Sequence, residues 1–493
     1  MNSVAIIGGG ITGLTAAFRL RQQNIPVTVY EAGQRVGGVI QSVRKEGYLA
    51  EFGPNSILET SPKISALIHD LGLESRRLYS DPGAENRYLV RGGKPVLLPG
   101  SPLKFFGTKL FSTSAKLRLL KEPFIRRAPE TREESLAEFV VRRLGQEFLD
   151  YAINPFVAGV YAGDPARLSV QHAFPKLHAL EKKYGSLIRG QILGARERKK
   201  RGEASKQSAK KISFDEGLQV LTDTLHAKLG DAVRLRSPVT RIEQSPDCWT
   251  VTTGSGEEHR HAAVVYTGPS HKLAQIQLIT ERSLNWSPLA DIYYPPVASV
   301  VLGFRREDVA HPLDGFGMLI PEVERFNILG ALFSSSLFPN RAPAGHVTLT
   351  CYLGGVRAPK LALLDAEAAT ELAIKDLRTI LGVKGQPTFR HHFLFSKAIP
   401  QYEVGFGRFK DLMNQLEANA PGLFLAGHYR DGISLSDSIV SGHGVAERIG
   451  KYVVAQASPP ASSGGVSPLN HPPAGRGRPA NPQAGTPALH QGA

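Results

Sequence analysis

The sequence predicts an α/β fold in which a doubly wound first domain is interrupted by a largely helical insertion and joined to a second domain built on a mixed sheet. Three features of the chain predict this class. Residues 1–56 follow a strand, glycine turn, helix, strand order, residues 57–230 show Pro-bounded helical periodicity, and β-rich runs return from Ala232 onward.

The opening unit has the pattern of the first half of a Rossmann-type domain. Val4–Ile7 is a short apolar run, the glycines from Gly8 to Gly13 form a turn, and Val27–Tyr30 alternates as a second strand. Between the two strands, apolar residues recur at helical spacing. These are Leu14, Ala17, Phe18 and Leu20.

The glycine turn predicts a phosphate-binding site for a dinucleotide. Gly8 permits a tight turn, Gly10 lets a pyrophosphate approach the backbone, and Gly13 lets the helix pack closely on the strand. Glu31, at the end of the second strand, is placed to accept hydrogen bonds from an adenosine ribose. The candidate residues of this unit are Gly8, Gly9, Gly10, Ile11, Thr12, Gly13 and Glu31.

Further along the chain, periodicity predicts a helical part followed by β-rich parts. The helical segments are expected at 62–73, 103–122 and 133–153. The strands are expected at 233–235, 249–253, 263–266, 298–304 and 347–353. After about residue 456 the chain is rich in Pro, Gly, Ser and Ala and has no acidic residue, which predicts a disordered tail.

Composition excludes several classes of protein. The 493 residues are 42% hydrophobic and 21% charged, as in an ordinary globular chain. The two cysteines, Cys248 and Cys351, lie far apart without metal-ligand spacing, so we expect no disulfide framework and no metal site. No signal peptide and no bilayer-spanning apolar stretch is visible, so we expect a cytoplasmic protein whose contact with a membrane is peripheral.

The net charge of +15 is concentrated in one segment. Between Arg189 and Lys211 there are nine lysines and arginines against two glutamates. Such a block is either a solvated loop or a patch that attracts anionic lipid or an acidic substrate. Because no aromatic residues interleave with these charges, nucleic acid is not expected as a partner.

Several short stretches resemble the amine oxidase and protoporphyrinogen oxidase flavoprotein families. One runs from Glu31-Ala32 to Arg35 and the Gly37-Gly38 pair, one covers Gly53-Pro54-Asn55-Ser56, and one covers Gly427 with Ile433-Ser434-Leu435. The resemblance implies non-covalent FAD, held also through the backbone of Val239. A departure is His428, where many relatives carry Asn after the Ala-Gly pair.

The middle of the chain resembles the protoporphyrinogen oxidase branch in particular. The run from Asn154 to Pro165 looks like its signature, and it contains a second departure, Ala162, where relatives commonly have Gly. The resemblance implies FAD- and oxygen-dependent oxidation of protoporphyrinogen IX to protoporphyrin IX in heme biosynthesis. It assigns a substrate propionate to Arg87, ring contacts to Leu319, Leu332 and Tyr352, and orientation of the pyrrole N–H groups to the backbone of Gly159.

The resemblance also implies how the chain is divided. FAD-binding parts are expected at 1–85, 212–280 and 406–455, a helical insertion that contributes to the substrate site and associates with membrane at 86–211, a β-rich substrate-binding domain at 281–405, and the tail at 456–493. The expected partners are a porphyrinogen, molecular oxygen and an anionic membrane surface, with a homodimer left open.

Three other interpretations remain open from the sequence. The first is oxidation of coproporphyrinogen III by the same chemistry, with four propionates to accommodate. The second is another amine-oxidase-like flavoprotein acting on an amine or a carotenoid precursor. The third is a flavin-binding protein without redox activity, whose basic segment serves only to bind partners.

Overall fold

The computed structural model describes residues 3–129, 132–201 and 209–457. Residues 202–208 of the basic segment therefore lie outside the described residues. The same holds for the predicted tail, except for residues 456 and 457, which end the C-terminal helix. The described chain mixes helices with several multi-stranded sheets, so the predicted α/β class is confirmed.

A five-stranded parallel sheet forms the centre of the doubly wound part. Its inner strands are buried on both faces and read as continuous apolar runs, as parallel strands covered by helices do. In spatial order the strands are Val233–Arg234, Val27–Tyr30, Val4–Ile7, Ala263–Tyr266 and Leu423–Leu425. The helices packed in this core include Ile11–Gln22, Pro62–Asp70, Gln219–Leu229 and Leu435–Ala457.

A seven-stranded mixed sheet forms the second large layer. One of its faces packs on the helix Ala366–Leu381 in a separate core that includes Met318, Ala331 and Cys351. In spatial order the strands are Phe389–Phe395, Val297–Arg305, His346–Gly354, Ile328–Leu332, Gly315–Leu319, Asn86–Arg91 and Lys94–Leu97.

Three smaller sheets connect these two layers. One pairs Ser42–Lys45 with Tyr48–Glu51, and another places Lys211–Phe214 between Ile57–Leu58 and Arg77–Tyr79. The third, in spatial order, contains Glu258–His261, Cys248–Thr253, Val239–Ser245 and Gln277–Ile279.

The helical insertion is real but shorter than predicted. Its helices are Pro102–Gly107, Thr113–Leu120, Leu136–Arg143, Gln146–Phe148, Asn154–Tyr161, Val170–Ala173, Pro175–Tyr184 and Leu187–Arg201, with a π-helical turn at Leu149–Ile153. The remaining helices are Pro62–Asp70, Ser334–Leu337, Pro359–Ala362 and Gly407–Asn419. Within the described ranges, no helix combines the length and apolarity needed to cross a bilayer.

Between residues 57 and 97 the predicted helix at 62–73 is confirmed as Pro62–Asp70, but the expectation that the rest is largely helical is wrong. This part contains four short strands, and two of them, Asn86–Arg91 and Lys94–Leu97, are the last strands of the seven-stranded sheet. Asn86–Arg91 pairs in parallel with Gly315–Leu319, a partner that is remote in sequence. Asn86–Arg91 also pairs locally with Lys94–Leu97, but local periodicity is a weak signal for such short strands because their place in the sheet depends on remote partners.

Candidate functional site

The glycine turn has the geometry that its sequence predicts. Gly8 has a φ of 110°, and a Cβ on Gly13 would lie 2.1 Å from the carbonyl oxygen of Gly8, so both positions require glycine. Gly10 precedes the helix Ile11–Gln22, has no capping side chain, and faces open space where a Cβ would stand. The unpaired first-turn amides therefore border a gap suited to a phosphate.

The Glu31 carboxylate lies directly behind this turn. One of its oxygens accepts a hydrogen bond from the backbone N–H of Gly9 and the other from that of Gly33, both at 2.7 Å. The neighbouring residue, Ala32, continues the turn between them. Each carboxylate oxygen keeps a further lone pair, so Glu31 has acceptor capacity for a ribose while it fixes the turn.

The second glycine pair is folded onto the first turn. Gly37 and Gly38 have φ values of 97° and 58°, and the N–H of Gly37 donates to the carbonyl of Gly9 at 2.8 Å. Arg35 donates to three carbonyl oxygens of this loop, those of Val36, Gly38 and Ile40. The guanidinium thus holds the loop in place, which is a structural role that its residue type did not reveal.

The C-terminal segment closes the turn from the opposite side. Gly427 has a φ of 117° and its N–H donates to the Ser441 hydroxyl at 3.0 Å. The Thr12 hydroxyl donates to the carbonyl of Ser438 at 3.1 Å, which joins the helices that begin at Ile11 and Leu435. The half-buried Ile433 and Ser434 lead into the second of these helices, and the Ser434 hydroxyl accepts the N–H of Asp437.

Val239 lies at the adenosine end of the predicted site. It is buried and begins the strand Val239–Ser245, two residues after Ser237, whose N–H donates to the carbonyl of Glu31 at 2.9 Å. The turn, Glu31 and Val239 therefore lie along one side of the five-stranded sheet.

The stretch from Gly53 to Ser56 joins this region to the seven-stranded sheet. A Cβ on Gly53 would lie 2.4 Å from the carbonyl oxygen of Val39, so only glycine fits beside the second glycine pair. The Asn55 amide donates to the Tyr352 hydroxyl at 2.7 Å. Pro54 and Ser56 are half-buried on the same stretch. A predicted cofactor residue and a predicted substrate residue are therefore in direct contact.

The predicted substrate residues occupy two neighbouring rows, each made of directly paired residues on adjacent strands of the seven-stranded sheet. Leu319 and Tyr352 both pair with Gly330 between them, while Arg87 and Leu332 both pair with Gly317. Neither glycine places a side chain between these residues, and a Cβ on Gly330 or Gly317 would lie 2.6 or 2.3 Å from a backbone carbonyl oxygen. Leu319, Leu332 and Tyr352 are half-buried, and the Arg87 side chain is exposed.

The signature helix covers one end of these rows. A Cβ on Gly159 would lie 2.4 Å from Cδ2 of Leu319, so the helix Asn154–Tyr161 touches the sheet there. Phe156 and Val160, which lie four residues apart and so share one face of this helix, are exposed. Ala162 directly follows the last residue of the helix and has a φ of 49°, in the left-handed region that favours glycine.

Sequence reasoning missed the buried Tyr402, which lies near the C-terminal segment and contacts the half-buried His428. The Tyr402 hydroxyl donates to the carbonyl of His428 and accepts the N–H of Gly432 at 3.0 Å, so it clamps the loop before the last helix. Burial raises the pKa of Tyr402 well above its usual value and lowers that of His428 to about 4, with a smaller effect of nearby His271. No sequence motif marks Tyr402.

A cavity of about 560 Å³ adjoins these elements. Arg35 and Gly38 line it on the side of the glycine turns, and its other walls are formed by the segment before Gly53 and by the edge strand of the seven-stranded sheet. The full lining is Arg35, Gly38, Val39, Gln41, Phe52, His271, Lys272, Gln275, Phe393, Leu394, Phe395, Ser396 and Lys397. The cavity therefore reaches the second glycine pair through Gly38, whereas Gly10, Glu31 and Val239 are not among its lining residues.

The structure brings the predicted cofactor residues close to an apolar wall formed by the predicted substrate residues. Among the described residues, no group of three His, Cys, Asp or Glu side chains is placed to hold a metal ion. The pKa of the buried Cys351 thiol is raised by burial, so it is a poor nucleophile. The arrangement is that of a cofactor enzyme in which the protein supplies placement.

Comparison with known proteins agrees with this geometry. Residues 11–450 match the family model described as flavin containing amine oxidoreductase. The chain is 36% identical to the mitochondrial protoporphyrinogen oxidase of Nicotiana tabacum, with 91% of this chain and 95% of the relative covered. It is 32% identical to the coproporphyrinogen III oxidase of Bacillus subtilis strain 168, with 89% and 96% covered.

Solved structures share the fold. A provisionally assigned protoporphyrinogen oxidase from Exiguobacterium sp. 255-15 superposes with a TM-score of 0.76 at 24% identity, covering 91% of this chain and 99% of that one. A reduced UDP-galactopyranose mutase superposes with a TM-score of 0.70 at 16% identity, covering 93% and 98%. The chain therefore belongs to the flavin containing amine oxidoreductase family and is an FAD-dependent oxidoreductase.

Proposed function

We propose that this protein oxidises protoporphyrinogen IX to protoporphyrin IX, with FAD as cofactor and molecular oxygen as acceptor, in heme biosynthesis. The observation that carries the proposal is the contact between Gly159 of the signature helix and Leu319, in the sheet row that also holds Tyr352 beside Asn55. The resemblance to relatives named protoporphyrinogen oxidase over most of the chain supports it.

The residues suit a flat apolar macrocycle with carboxylates at its rim. Leu319, Leu332 and Tyr352 form a wall across which a ring system packs, and the exposed Arg87 guanidinium at one end offers a planar fork for a propionate. Gly159, without a side chain, leaves its backbone carbonyl accessible to pyrrole N–H groups. These groups position the substrate so that one methylene bridge faces the segment Gly53–Ser56.

FAD, when bound, supplies the hydride acceptor and returns the electrons to oxygen. In each of three successive two-electron steps the substrate loses a hydride from a bridging carbon and a proton, and each step yields one hydrogen peroxide from oxygen. Tautomerisation between the steps lets the three protons come from two ring nitrogens and the fourth methylene bridge, so that all four bridges end as CH groups. The chain's own residues hold the macrocycle and exclude water, and no acidic or basic side chain is required to accept the hydride.

The second candidate substrate is coproporphyrinogen III. The relatives from Bacillus subtilis and Staphylococcus aureus carry the name coproporphyrinogen III oxidase and are 32% and 31% identical to this chain. This substrate presents four propionates, so additional cations around the rim favour it.

Anaerobic mixing distinguishes these functions. FAD-loaded protein is mixed with protoporphyrinogen IX or coproporphyrinogen III while flavin absorbance and porphyrin fluorescence are followed, and oxygen is then admitted. We expect flavin bleaching with protoporphyrinogen IX, faster than with coproporphyrinogen III, and recovery of the flavin with oxygen. Flavin that stays oxidised with both porphyrinogens contradicts the proposal and favours the protein without redox activity.

We also propose that the helical insertion rests on an anionic membrane surface. Phe124 is 81% exposed, Leu117 57% and Ile192 59%, and the Arg189 guanidinium lies 6.0 Å from the centre of the Phe124 ring. Exposed apolar side chains beside cations are the pattern of an interfacial contact. The basic segment that follows adds to this charge, although residues 202–208 lie outside the described part.

Liposome co-sedimentation tests the membrane proposal. We expect binding to vesicles that contain phosphatidylserine, weakening in high salt, and strong loss in the double variant Phe124→Ser/Ile192→Ser. Neutralising Lys199, Lys200 and Arg201 should also weaken binding. The matched control is Leu363→Ser, which removes a side chain of equal exposure (59%) from outside the insertion. Binding that ignores lipid charge, or that the control weakens equally, contradicts the proposal.

A further inference from the structure

Lys211 lies close to the proposed substrate site, although no motif marks it. It begins the strand Lys211–Phe214 and pairs with Leu58, just beyond the stretch Gly53–Ser56. Its side chain is half-buried, and Nζ lies 5.7 Å from the centre of the Phe316 ring. The ammonium group is therefore held over one strand of the seven-stranded sheet.

The same strand connects Lys211 to Arg87. The register between Gly315–Leu319 and Asn86–Arg91 slips by one residue, so Phe316 and Gly317 both lie opposite Arg87. Arg87 thus approaches this bulge from the neighbouring strand, and Lys211 approaches it from above the Phe316 ring.

Neither cation forms an ion pair with a carboxylate of the described residues. The pKa of Lys211 is lowered first by burial and then by the charge of Arg87, with only Glu85 acting in the opposite direction. Two positive charges near a half-buried site repel each other and destabilise the folded protein when no ligand is bound. An external anion relieves this repulsion.

Among the described strands, no side chain stands between Arg87 and Leu332 on this side of the sheet. Gly317 lies between Arg87 and Leu332 in the register, and a Cβ there would lie 2.3 Å from the carbonyl oxygen of Ala331. Only glycine fits, so no side chain separates the cation from the apolar wall. A ring that packs on Leu332 can extend a carboxylate over Gly317.

We propose that Lys211 binds a second carboxylate of the tetrapyrrole, so that Lys211 and Arg87 form a two-cation site at the carboxylate end of the substrate. This inference rests on the proposed function and deepens it. The planar guanidinium of Arg87 binds one carboxylate in a bidentate manner, and the ammonium group of Lys211 attracts the other as a point charge. Because both contacts are remote from the reacting methylene bridge, Lys211 is a positioning and specificity residue.

The test compares the free diacid with an uncharged analogue. Steady-state oxygen uptake is measured with protoporphyrinogen IX and with its dimethyl ester, for FAD-loaded wild type, Lys211→Met, Lys211→Arg and the control Lys210→Met. Lys210 is the adjacent exposed lysine, whose ammonium lies over the Tyr79 ring at 4.9 Å. Lys211→Gln replaces Lys211→Met if the latter does not retain FAD.

We expect Lys211→Met to raise KM for the diacid roughly tenfold with little change in kcat, because a charge-assisted contact far from the reacting carbon is lost. KM for the diester should be the same in wild type and Lys211→Met, Lys211→Arg should restore most of the diacid affinity, and Lys210→Met should behave as wild type.

Two results overturn the inference while the proposed function stands. One is a Lys211→Met enzyme with wild-type KM for the diacid, and the other is an equal loss with the diester, which means a structural role. If wild type itself oxidises neither compound, the proposed function fails and this inference fails with it.

Discussion

In the proposed function, the orientation of the substrate depends on Arg87. Its guanidinium is exposed at the end of the row that contains Leu332. Arg87→Ala should lower kcat/KM for protoporphyrinogen IX roughly tenfold, mainly through KM, and Arg87→Lys should recover only part because a point charge does not copy the fork. FAD content and visible spectrum should stay as in wild type.

Steady-state and anaerobic single-turnover kinetics check this prediction. Leu332→Ala is the contrasting variant, because it trims the apolar wall and should slow hydride transfer as well as weaken binding. An Arg87→Ala enzyme with unchanged KM would mean that this arginine is an ordinary surface residue.

Glu31 has two roles in the structure, one of which the sequence did not reveal. Besides its predicted contact with the ribose, its carboxylate accepts the N–H groups of Gly9 and Gly33. Glu31→Ala should therefore give folded protein with strongly reduced FAD occupancy, measured from the ratio of flavin to protein absorbance. Circular dichroism checks folding, and full occupancy at stoichiometric FAD contradicts the assignment.

His428 should make stability depend on pH. Burial, with a smaller contribution from His271, lowers its pKa from 6.5 to about 4. Its contribution is fully present above pH 6.5, and below that value the unfolded chain binds a proton that the folded chain excludes. The free energy of unfolding should therefore fall by about 1.4 kcal/mol per pH unit between pH 6.5 and 4 on account of this residue.

The variant His428→Asn isolates this effect, because it carries the residue common in relatives and does not titrate. Urea unfolding of both proteins at pH 7.5, 5.5 and 4.5 should show a steeper decline for wild type. Parallel pH profiles would mean that His428 is protonated in the folded protein or is exposed to solvent.

At the scale of elements, Glu122 fixes the start of the helix Leu187–Arg201. Its buried carboxylate accepts the N–H groups of Leu187 and Ile188 and pairs with the buried Arg143 at 3.1 Å. Glu122→Gln removes the charge that compensates Arg143, although Glu181 still contacts it. We expect a loss of about 3 kcal/mol in the free energy of unfolding.

Hydrogen exchange of the insertion checks this prediction together with thermal unfolding. Faster exchange should begin at the first turn of the helix Leu187–Arg201. The control is Glu138→Gln, which retains a side chain able to complete the capping box of the helix Leu136–Arg143 and should change stability little. Equal effects of both variants would contradict a specific role for Glu122.

At the scale of the whole molecule, FAD should stabilise the fold because its site is assembled from distant parts of the chain. The glycine turn, Val239 and Gly427 meet only through the five-stranded sheet and the helices that cover it. At a free FAD concentration a thousand times Kd, linkage adds about 4 kcal/mol, which should raise Tm by roughly 4 °C for a chain of this length.

Calorimetry of the apo-protein with and without FAD measures this shift. Riboflavin, which lacks the pyrophosphate, serves as the matched control and should raise Tm far less than FAD. An apo-protein with the same Tm as the holoenzyme would contradict a site built across the molecule.

The sequence by itself determined the features that depend on local backbone geometry and periodicity. Gly8, Gly37 and Gly427 have positive φ values, and the strands Val4–Ile7 and Val27–Tyr30 follow the predicted runs. Glycine is the residue that adopts such φ values without strain, and a parallel strand that is buried on both faces must be apolar. Both patterns can therefore be recognised in the sequence without knowledge of the tertiary contacts.

Only the tertiary structure decided which of these features come together. The contacts of Asn55 with Tyr352 and of Gly159 with Leu319 join residues far apart in sequence, and the pairing of Asn86–Arg91 with Gly315–Leu319 converts an expected helical stretch into strands. The position of Lys211 beside Arg87 has the same origin. Non-local pairing and packing are stabilised by partners that no local pattern specifies. The apolar wall of the proposed substrate site therefore forms only when the strands that carry it are paired in the assembled sheet.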